Sequence, residues 1–391
     1  MAQSEVEKNI EKWVAALNKH KGEEWVPWLS PYPVDPKLDY IEQQALEWIT
    51  KDNIRFYAAG IGDRNPLFWS EDYARRTRWG GIIAPPCFTD SIAISWISFI
   101  EPSPVPWYFQ SEPAGNKREL FKPIRPGDRI TILEKYLGIE ERKPREPRPY
   151  RLFLDRCQKS FMNQNEETVA VLTYSFARLI TSSPPDQRMF RGADKKQRYK
   201  FSDEERDAIL RSYEANKRRG ADTLFWEDVS VGDEVPMLPV GPTCSADSIA
   251  FHCAQQGHVV AFDMKWDRIN QRAGDRKPEP DPETNAYWSV PYVHACDGRY
   301  GFGYLLGYQM EGLLARMLTD WMGDDGFLKV LDCRFRALPI IGDAFYQKGK
   351  VTGKRVEDGE HLVDLDLRTD NQVGELIVSG TATVRLLART T

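Results

Sequence analysis

Histidine is scarce in this chain, and three of its five copies fall in one stretch of the second half: His252, His258 and His294. Asp263 follows His258 by five positions (263 − 258 = 5). An imidazole titrates near pH 6.5 and, with a carboxylate beside it, can take and deliver protons during a reaction. Three histidines could also bind a metal. No regular spacing such as HExxH is present, so the pattern favours acid–base chemistry.

Bulk properties predict a soluble, cytoplasmic, two-domain protein. The 391 residues exceed what one hydrophobic core usually covers. With 53 basic against 58 acidic residues and a net charge of −5, no nucleic-acid partner is expected. The N-terminus lacks the apolar core of a signal peptide, and no run is apolar enough to span a bilayer. The six cysteines form no CxxC pair, which argues against a zinc or disulfide scaffold.

A weak internal repeat divides the chain. Residues 54–63 (IRFYAAGIGD) resemble residues 249–258 (IAFHCAQQGH) at an offset of 195 (249 − 54). This alignment pairs Ile54 with Ile249, Phe56 with Phe251, Ala59 with Ala254 and Gly62 with Gly257. A turn and an apolar, helix-like stretch follow each copy, at 80–100 and 290–321. Pairing Cys87 with Cys296 (offset 209) implies an insertion in the second copy, placed in the polar segment 271–285.

Alternating apolar and polar residues then predict antiparallel strands in both halves. The predicted strands are 129–142, 150–163 and 167–180 in the first half and 327–338, 344–356, 361–370 and 375–387 in the second. We therefore predict an N-terminal domain over 1–180 with a helical extension, a charged linker over 181–221 and a C-terminal domain over 222–391. A linker helix is expected after Ser202, with Glu205 completing its cap.

The segments GDRNPLFWSEDYA (62–74) and WGGIIAPPCF (79–88) resemble the MaoC-like dehydratases. The resemblance covers about residues 40–180 and is closest to the non-catalytic half of a double-hotdog dehydratase. It implies an α+β fold of two tandem hotdog domains, each a long helix wrapped by an antiparallel sheet. Phe68 stands where the catalytic motif has histidine, and the turn Pro85-Pro86 stands where an N–H donor is needed. The resemblance therefore implies a silent first half. Asp63 and Asn65 could be catalytic if that half were active, but Asp and Asn more typically cap or brace the local backbone.

The second half is similar to the catalytic half of the same family, more loosely, through residues 231–257 and 313–321. The family motif has an aspartate followed five places later by a histidine. Here His258 stands at the aspartate position and Asp263 at the histidine position, so the pair is exchanged. The resemblance implies that His258 and Asp263 are catalytic together with His294, which stands in the turn before the long helix.

The resemblance also implies an oxyanion site, because a backbone N–H at a helix start can stabilise a developing enolate. The residues expected to bind the thioester oxygen or the substrate are Ala295, Cys296, Gly257 and His252. His252 taken alone is more typical of a structural histidine, and Asp297 of a helix cap. Nearby aromatic residues either pack the insertion or line a pocket for a bulky acyl group: Trp266, Tyr287, Trp288 and Tyr292.

These features favour a lyase that hydrates or dehydrates an acyl thioester, most simply a coenzyme A thioester, without a metal or other cofactor. We expect a homodimer that binds neither nucleic acid nor membrane. The exchanged pair could instead serve another elimination, cyclisation or isomerisation through the same enolate. A non-catalytic subunit that needs a partner chain, and a thioesterase, stay open as alternatives, because a fold does not determine a reaction.

Overall fold

The computed structural model describes residues 3–27, 45–93, 104–105, 110–143, 150–182, 199–255 and 303–389. Strands in the first half are β1 (Glu24–Trp25), β2 (Gln110–Leu120), β3 (Thr131–Arg142), β4 (Arg151–Met162) and β5 (Thr168–Ile180). Those in the second half are β6 (Glu234–Val240), β7 (Phe327–Phe335), β8 (Phe345–Glu357), β9 (Glu360–Asn371) and β10 (Leu376–Leu386).

The strands of the two halves form one antiparallel sheet in the order β1-β3-β4-β5-β2-β7-β10-β9-β8-β6. Corresponding strands of the two halves lie at equal distances from the centre of the sheet, on opposite sides of it, as expected for a tandem repeat. The two halves meet edge to edge where β2 pairs with β7, from Gly115 opposite Arg334 to Glu119 opposite Val330. This pairing satisfies two edges that would otherwise be exposed. It confirms the predicted α+β double-hotdog architecture.

Short turns set the hairpins that the sequence predicts. Asn163 and Asn371 begin the turns before β5 and β10, and each side-chain oxygen accepts backbone N–H groups two and four residues on. Gly127 and Gly342 precede β3 and β8 with φ of +93° and +102°. Such angles suit glycine because other residues meet a steric penalty there.

The described helices are α1 (Gln3–Lys19), α2 (Lys51–Gly60), α3 (Pro66–Trp69), α4 (Glu71–Ala74), α5 (Thr89–Ile92), α6 (Asp203–Ala215), α7 (Ser245–Ala254) and α8 (Gly307–Met322). Helix α8 is the long helix predicted for the second half. It is buried along almost its whole length and packs against β6, β7, β8 and β10. Helix α6 has the predicted cap, with Ser202 and Glu205 bonded reciprocally. No described helix is long and apolar enough to cross a membrane.

Candidate functional site between the two halves

Helices α2 and α7 are the two copies of the repeat, and they pack against each other. Thr50 and Cys244 begin them with the same kind of capping box, which involves Asn53 and Asp247. These caps align at an offset of 194 (244 − 50), so the offset of 195 is wrong by one residue within the helices.

Burial gives the same correction. Ile54 is buried whereas Ile249 is exposed, and Phe56 is exposed whereas Phe251 is buried. With the offset of 194, Tyr57 matches Phe251, and their rings lie 6.2 Å apart. Similar residue types one position apart produced the wrong pairing. At the offset of 194, His258 and Asp263 no longer align with Asp63 and Phe68, so the repeat does not support the pair as catalytic residues. The pair rests on its chemistry and on its five-residue spacing.

The first-half motif braces its own loop, as predicted. Asp63 Oδ1 accepts the N–H of Asn65 at 2.8 Å, and Asn65 Oδ1 accepts the N–H of Leu67 at 3.0 Å, which caps α3. The indole of Trp69 donates to the carbonyl of Asp63 at 2.8 Å. Burial raises the pKa of Asp63, and the N–H of Asn65 opposes the rise.

Helix α8 of the second half holds this loop from the other side. Arg316 Nη1 donates to the carbonyl of Ile61 at 3.3 Å. Asp324, just beyond the helix, accepts Asn65 Nδ2 at 3.2 Å and the hydroxyl of Tyr73 at 2.5 Å. Asp320 lies in the same cluster, where burial and the charge of Asp63 raise its pKa to about 7.

A cleft opens between this motif and the second half. Apolar side chains form most of it, and Asn65, Lys122, Thr319 and Asp324 add polar groups to its wall. Phe68 and Pro86 both line the cleft. The histidine position and the oxyanion position of the motif thus face one cavity, but a phenyl ring and a proline occupy them. The phenyl ring of Phe68 cannot transfer a proton, and Pro86 has no backbone N–H to donate.

A buried ionic cluster joins the halves at the other end of α8. Arg118 on β2 donates from Nη2 to Asp90 Oδ1 at 2.6 Å and from Nε to Glu311 Oε1 at 2.7 Å. Asn116 donates to Glu311 Oε2 at 2.7 Å, and Thr89 accepts from Arg118 Nη1. Burial, which outweighs the attraction of Arg118, raises the pKa of Asp90 to about 7. Sequence reasoning missed this cluster. The available signal was Glu311, a charge in an otherwise apolar part of the helix.

His252 is the predicted site residue that the described structure contains. It lies in the last turn of α7, is 2% exposed, and burial lowers its pKa to about 4. It is therefore neutral at physiological pH, which fits the structural role more than that of a proton carrier. The other predicted site residues lie outside the described residues: Gly257, His258, Asp263, His294, Ala295 and Cys296. The same holds for Asp297 and for the aromatic residues Trp266, Tyr287, Trp288 and Tyr292.

The C-terminal end of α7 contacts the first half of the chain. Ser91 in α5 of the first half donates from Oγ to the carbonyl of Ala254 at 2.7 Å. Within the described ranges, no three His, Cys, Asp or Glu side chains are grouped so that they could hold a metal ion. The described part of the site thus offers an apolar cleft, buried carboxylates and a neutral histidine.

The fold and the paired lead-in helices define a double-hotdog protein. Residues 41–171 match the family model of the FAS1-like dehydratase domain region. A solved MaoC-like dehydratase is 18% identical, with a TM-score of 0.59, over 95% of this chain and 99% of its own. A MaoC domain protein from Chloroflexus aurantiacus J-10-fl is 12% identical, with a TM-score of 0.55, over 94% and 96%.

Comparison with curated protein sequences gives no match. The predicted resemblance to the MaoC-like dehydratases is nevertheless confirmed, in sequence for residues 41–171 and in fold for nearly the whole chain.

Proposed function

We propose that this protein is a hydratase or dehydratase of acyl thioesters whose reaction takes place in the second half. One observation carries the proposal. The first-half motif keeps its backbone bracing beside a cleft, but places Phe68 and Pro86 where catalysis needs a proton carrier and an N–H donor. A cleft that lacks the motif's histidine and N–H donor suits a two-half protein in which the other half performs the chemistry.

In the proposed reaction, water adds across the double bond of an α,β-unsaturated thioester. The water oxygen bonds to the β-carbon, its proton passes to a base, and an acid delivers a proton to the α-carbon. We assign His258 as the main proton carrier and Asp263 as the carboxylate that orients or charges an imidazole, with His294 nearby. The N–H of Ala295 stabilises the enolate oxygen. The reverse sequence is dehydration.

The finer parts of the proposal follow from the same chemistry. Coenzyme A is the proposed thioester carrier, and a bulky acyl group suits the aromatic residues around the second-half insertion. We further propose a cytoplasmic homodimer, with the N-terminal domain over 1–180, the linker over 181–221 and the C-terminal domain over 222–391. The dehydratase named among the structural relatives points to the same class of reaction.

A panel of enoyl-CoA substrates with short, long, branched and ring-bearing acyl groups tests the proposal. A hydratase lowers the absorbance of the conjugated thioester while free thiol stays constant. Thiol release would instead identify a thioesterase. If neither signal appears with any substrate, the chain is better explained as a binding subunit, and activity that returns on adding a partner hotdog chain would establish that role.

A further inference from the structure

The cleft beside the first-half motif has walls from both halves of the molecule. The first half contributes α3, the turn Pro85-Pro86 and the end of β2. The second half contributes the end of α8, the loop after it and the start of β7. The apolar lining includes Phe68, Leu120 and Phe327. A concave surface that is mostly apolar and carries a few polar groups is typical of a small-molecule site.

Two polar side chains of this wall, one from each half, place a donor beside an acceptor. Asn65 Nδ2 donates to Asp324 Oδ1 at 3.2 Å, and the two residues are 2% and 4% exposed. A carboxamide has two N–H donors, and the described residues supply an acceptor for one of them. The carboxylate of Asp324 accepts one bond on each oxygen, the second from the hydroxyl of Tyr73, so lone pairs remain on both.

The other polar residues of the wall differ in exposure. Thr319 is buried and donates from Oγ1 to the carbonyl of Arg316 at 2.9 Å, so its oxygen can still accept a hydrogen bond. The ammonium of Lys122 is paired with Glu167, and their side chains are 48% and 41% exposed. Such surface ion pairs contribute little. The lysine therefore marks the side of the cleft that is open to solvent.

The buried polar groups favour a hydroxyl over other head groups. A hydroxyl can donate to Asp324 and accept from Asn65 at the same time. An ammonium group has no lone pair to offer Asn65, and an ionised carboxylate has no proton for Asp324. Both charged groups would also lose their hydration among apolar side chains, which is costly. An ether oxygen accepts a hydrogen bond but cannot donate one.

We infer that the first-half cleft is a non-catalytic binding site for an apolar molecule that carries a hydroxyl group. The hydroxyl bonds to Asn65 and Asp324, and the hydrocarbon part packs against the apolar wall. Because the two polar residues come from different halves, the bound molecule also strengthens the contact between the halves. The inference does not depend on the reaction proposed for the second half, since binding needs no turnover.

A set of probes of similar length tests the inference on the unchanged, full-length protein. The probes are n-hexanol, n-hexylamine, hexanoate and methyl n-pentyl ether, and ligand-observed NMR titration measures their affinities. We expect n-hexanol to bind roughly 10-fold more tightly than each of the others, because hydrogen bonds to a buried carboxylate discriminate by at least that factor. An amine, acid or ether that binds as tightly as the alcohol would overturn the inference, as would the absence of binding by n-hexanol.

Asp324→Asn tests the acceptor, with Asp325→Asn as the matched control. Asp325 is the next residue of the same loop, accepts the hydroxyl of Thr223 at 2.5 Å and lies outside the cleft wall that the described residues form. An amide oxygen is a weaker acceptor than a carboxylate, so Asp324→Asn should weaken n-hexanol binding by roughly 10-fold. Asp325→Asn should change it by less than about 2-fold. Equal losses in the two variants, or unchanged affinity in Asp324→Asn, would contradict the assignment.

Ala84→Leu tests where the alcohol binds. Ala84 lines the cleft, and a larger side chain there occupies space that the hydrocarbon part needs. We expect this variant to lose measurable binding of n-hexanol while thermal unfolding shows that it is folded. Normal binding in folded Ala84→Leu would place the alcohol elsewhere and overturn the inference. If a variant does not fold, the comparison of the four probes on the unchanged protein still decides the question.

Discussion

Arg118 on strand β2 and Glu311 on helix α8 form a buried ion pair between the two halves, with Nε 2.7 Å from Oε1 and side chains 1% and 0% exposed. Asp90 shares the guanidinium at 2.6 Å. Removing two or more charges from water is costly, and their attraction does little more than offset that cost. The larger effect appears when one partner is removed and the others stay buried.

Arg118→Met is therefore expected to lower the free energy of unfolding by about 3–5 kcal/mol, because it leaves Asp90 and Glu311 uncompensated. The triple variant Arg118→Met, Asp90→Asn, Glu311→Gln should recover much of this loss, since it leaves no unpaired charge. Urea unfolding of the two variants measures the difference. A single variant as stable as the unchanged protein would show that the cluster contributes little.

This cluster also shows where sequence reasoning stops. Strands β3, β4, β5 and β7 to β10 were predicted because their apolar residues alternate, which reports one buried face. Strand β2, with the sequence QSEPAGNKREL, was missed. Its buried face carries Asn116 and Arg118, and the carboxylate that they bind lies on α8, far along the chain. Periodicity of hydrophobic residues cannot reveal a buried polar face whose partners are distant in sequence.

The repeat was found from sequence, but its exact alignment was not. Apolar residues such as Ala and Ile recur at neighbouring positions of α2 and α7. Shifting one helix sequence by one residue against the other therefore changes the apparent match little. The physical constraints are the capping boxes at Thr50 and Cys244 and the close contact of Gly60, where an added Cβ would lie 2.6 Å from that of Ala254. By contrast, the motif GDRNPLF was specific enough to predict the bracing by Asp63 and Asn65.

Asp63→Asn is expected to reduce stability more than turnover. The substitution keeps one oxygen for the N–H of Asn65 but places an amide NH₂ where Asp63 Oδ2 is buried without a hydrogen-bond partner in the described part of the chain. An unsatisfied buried donor costs about 1–3 kcal/mol. Thermal unfolding and kcat should be measured together, with Asp52→Asn on the exposed face of α2 as the control. Loss of activity in a variant that melts normally would move the active site to the first half.

His252→Gln is expected to remove an acid-sensitive component of stability. Burial lowers the pKa of His252 to about 4, whereas an unfolded histidine titrates near 6.5. Between these values the unfolded chain binds the proton more tightly, so His252 destabilises the fold as the pH falls from 6.5 through 4. The slope is at most about 1.4 kcal/mol per pH unit. Urea unfolding at pH 4.5, 5.5 and 6.5 should show a shallower decline for the variant, and parallel declines would contradict the prediction.

Asp320→Asn should have the opposite pH signature. Burial and Asp63 raise the pKa of Asp320 to about 7, above the value near 3.9 of an unfolded aspartate. The folded state therefore binds the proton more tightly, and this contribution is fully present below pH 4 and is lost as the pH rises through 7. Relative to the variant, the unchanged protein should lose at most about 1.4 kcal/mol per pH unit in that window. A constant difference between the two across pH 4 to 7 would show that Asp320 ionises normally.

The exchanged pair gives the most direct test of the reaction. His258→Ala and Asp263→Ala should each lower kcat on the order of 100- to 10,000-fold, because each removes part of one positioned acid–base unit. Thioester binding should change little, since neither group is proposed to hold the acyl chain. The double variant should be scarcely worse than either single one, because residues that act as a unit lose their effect together.

Steady-state kinetics with the best enoyl-CoA substrate measures kcat, and calorimetric binding of a saturated analogue measures thioester binding. His20→Ala, in the N-terminal extension, is the control and should retain normal rates. Near-normal kcat in both single variants would make the pair structural, and the search for the proton carrier would then turn to His294.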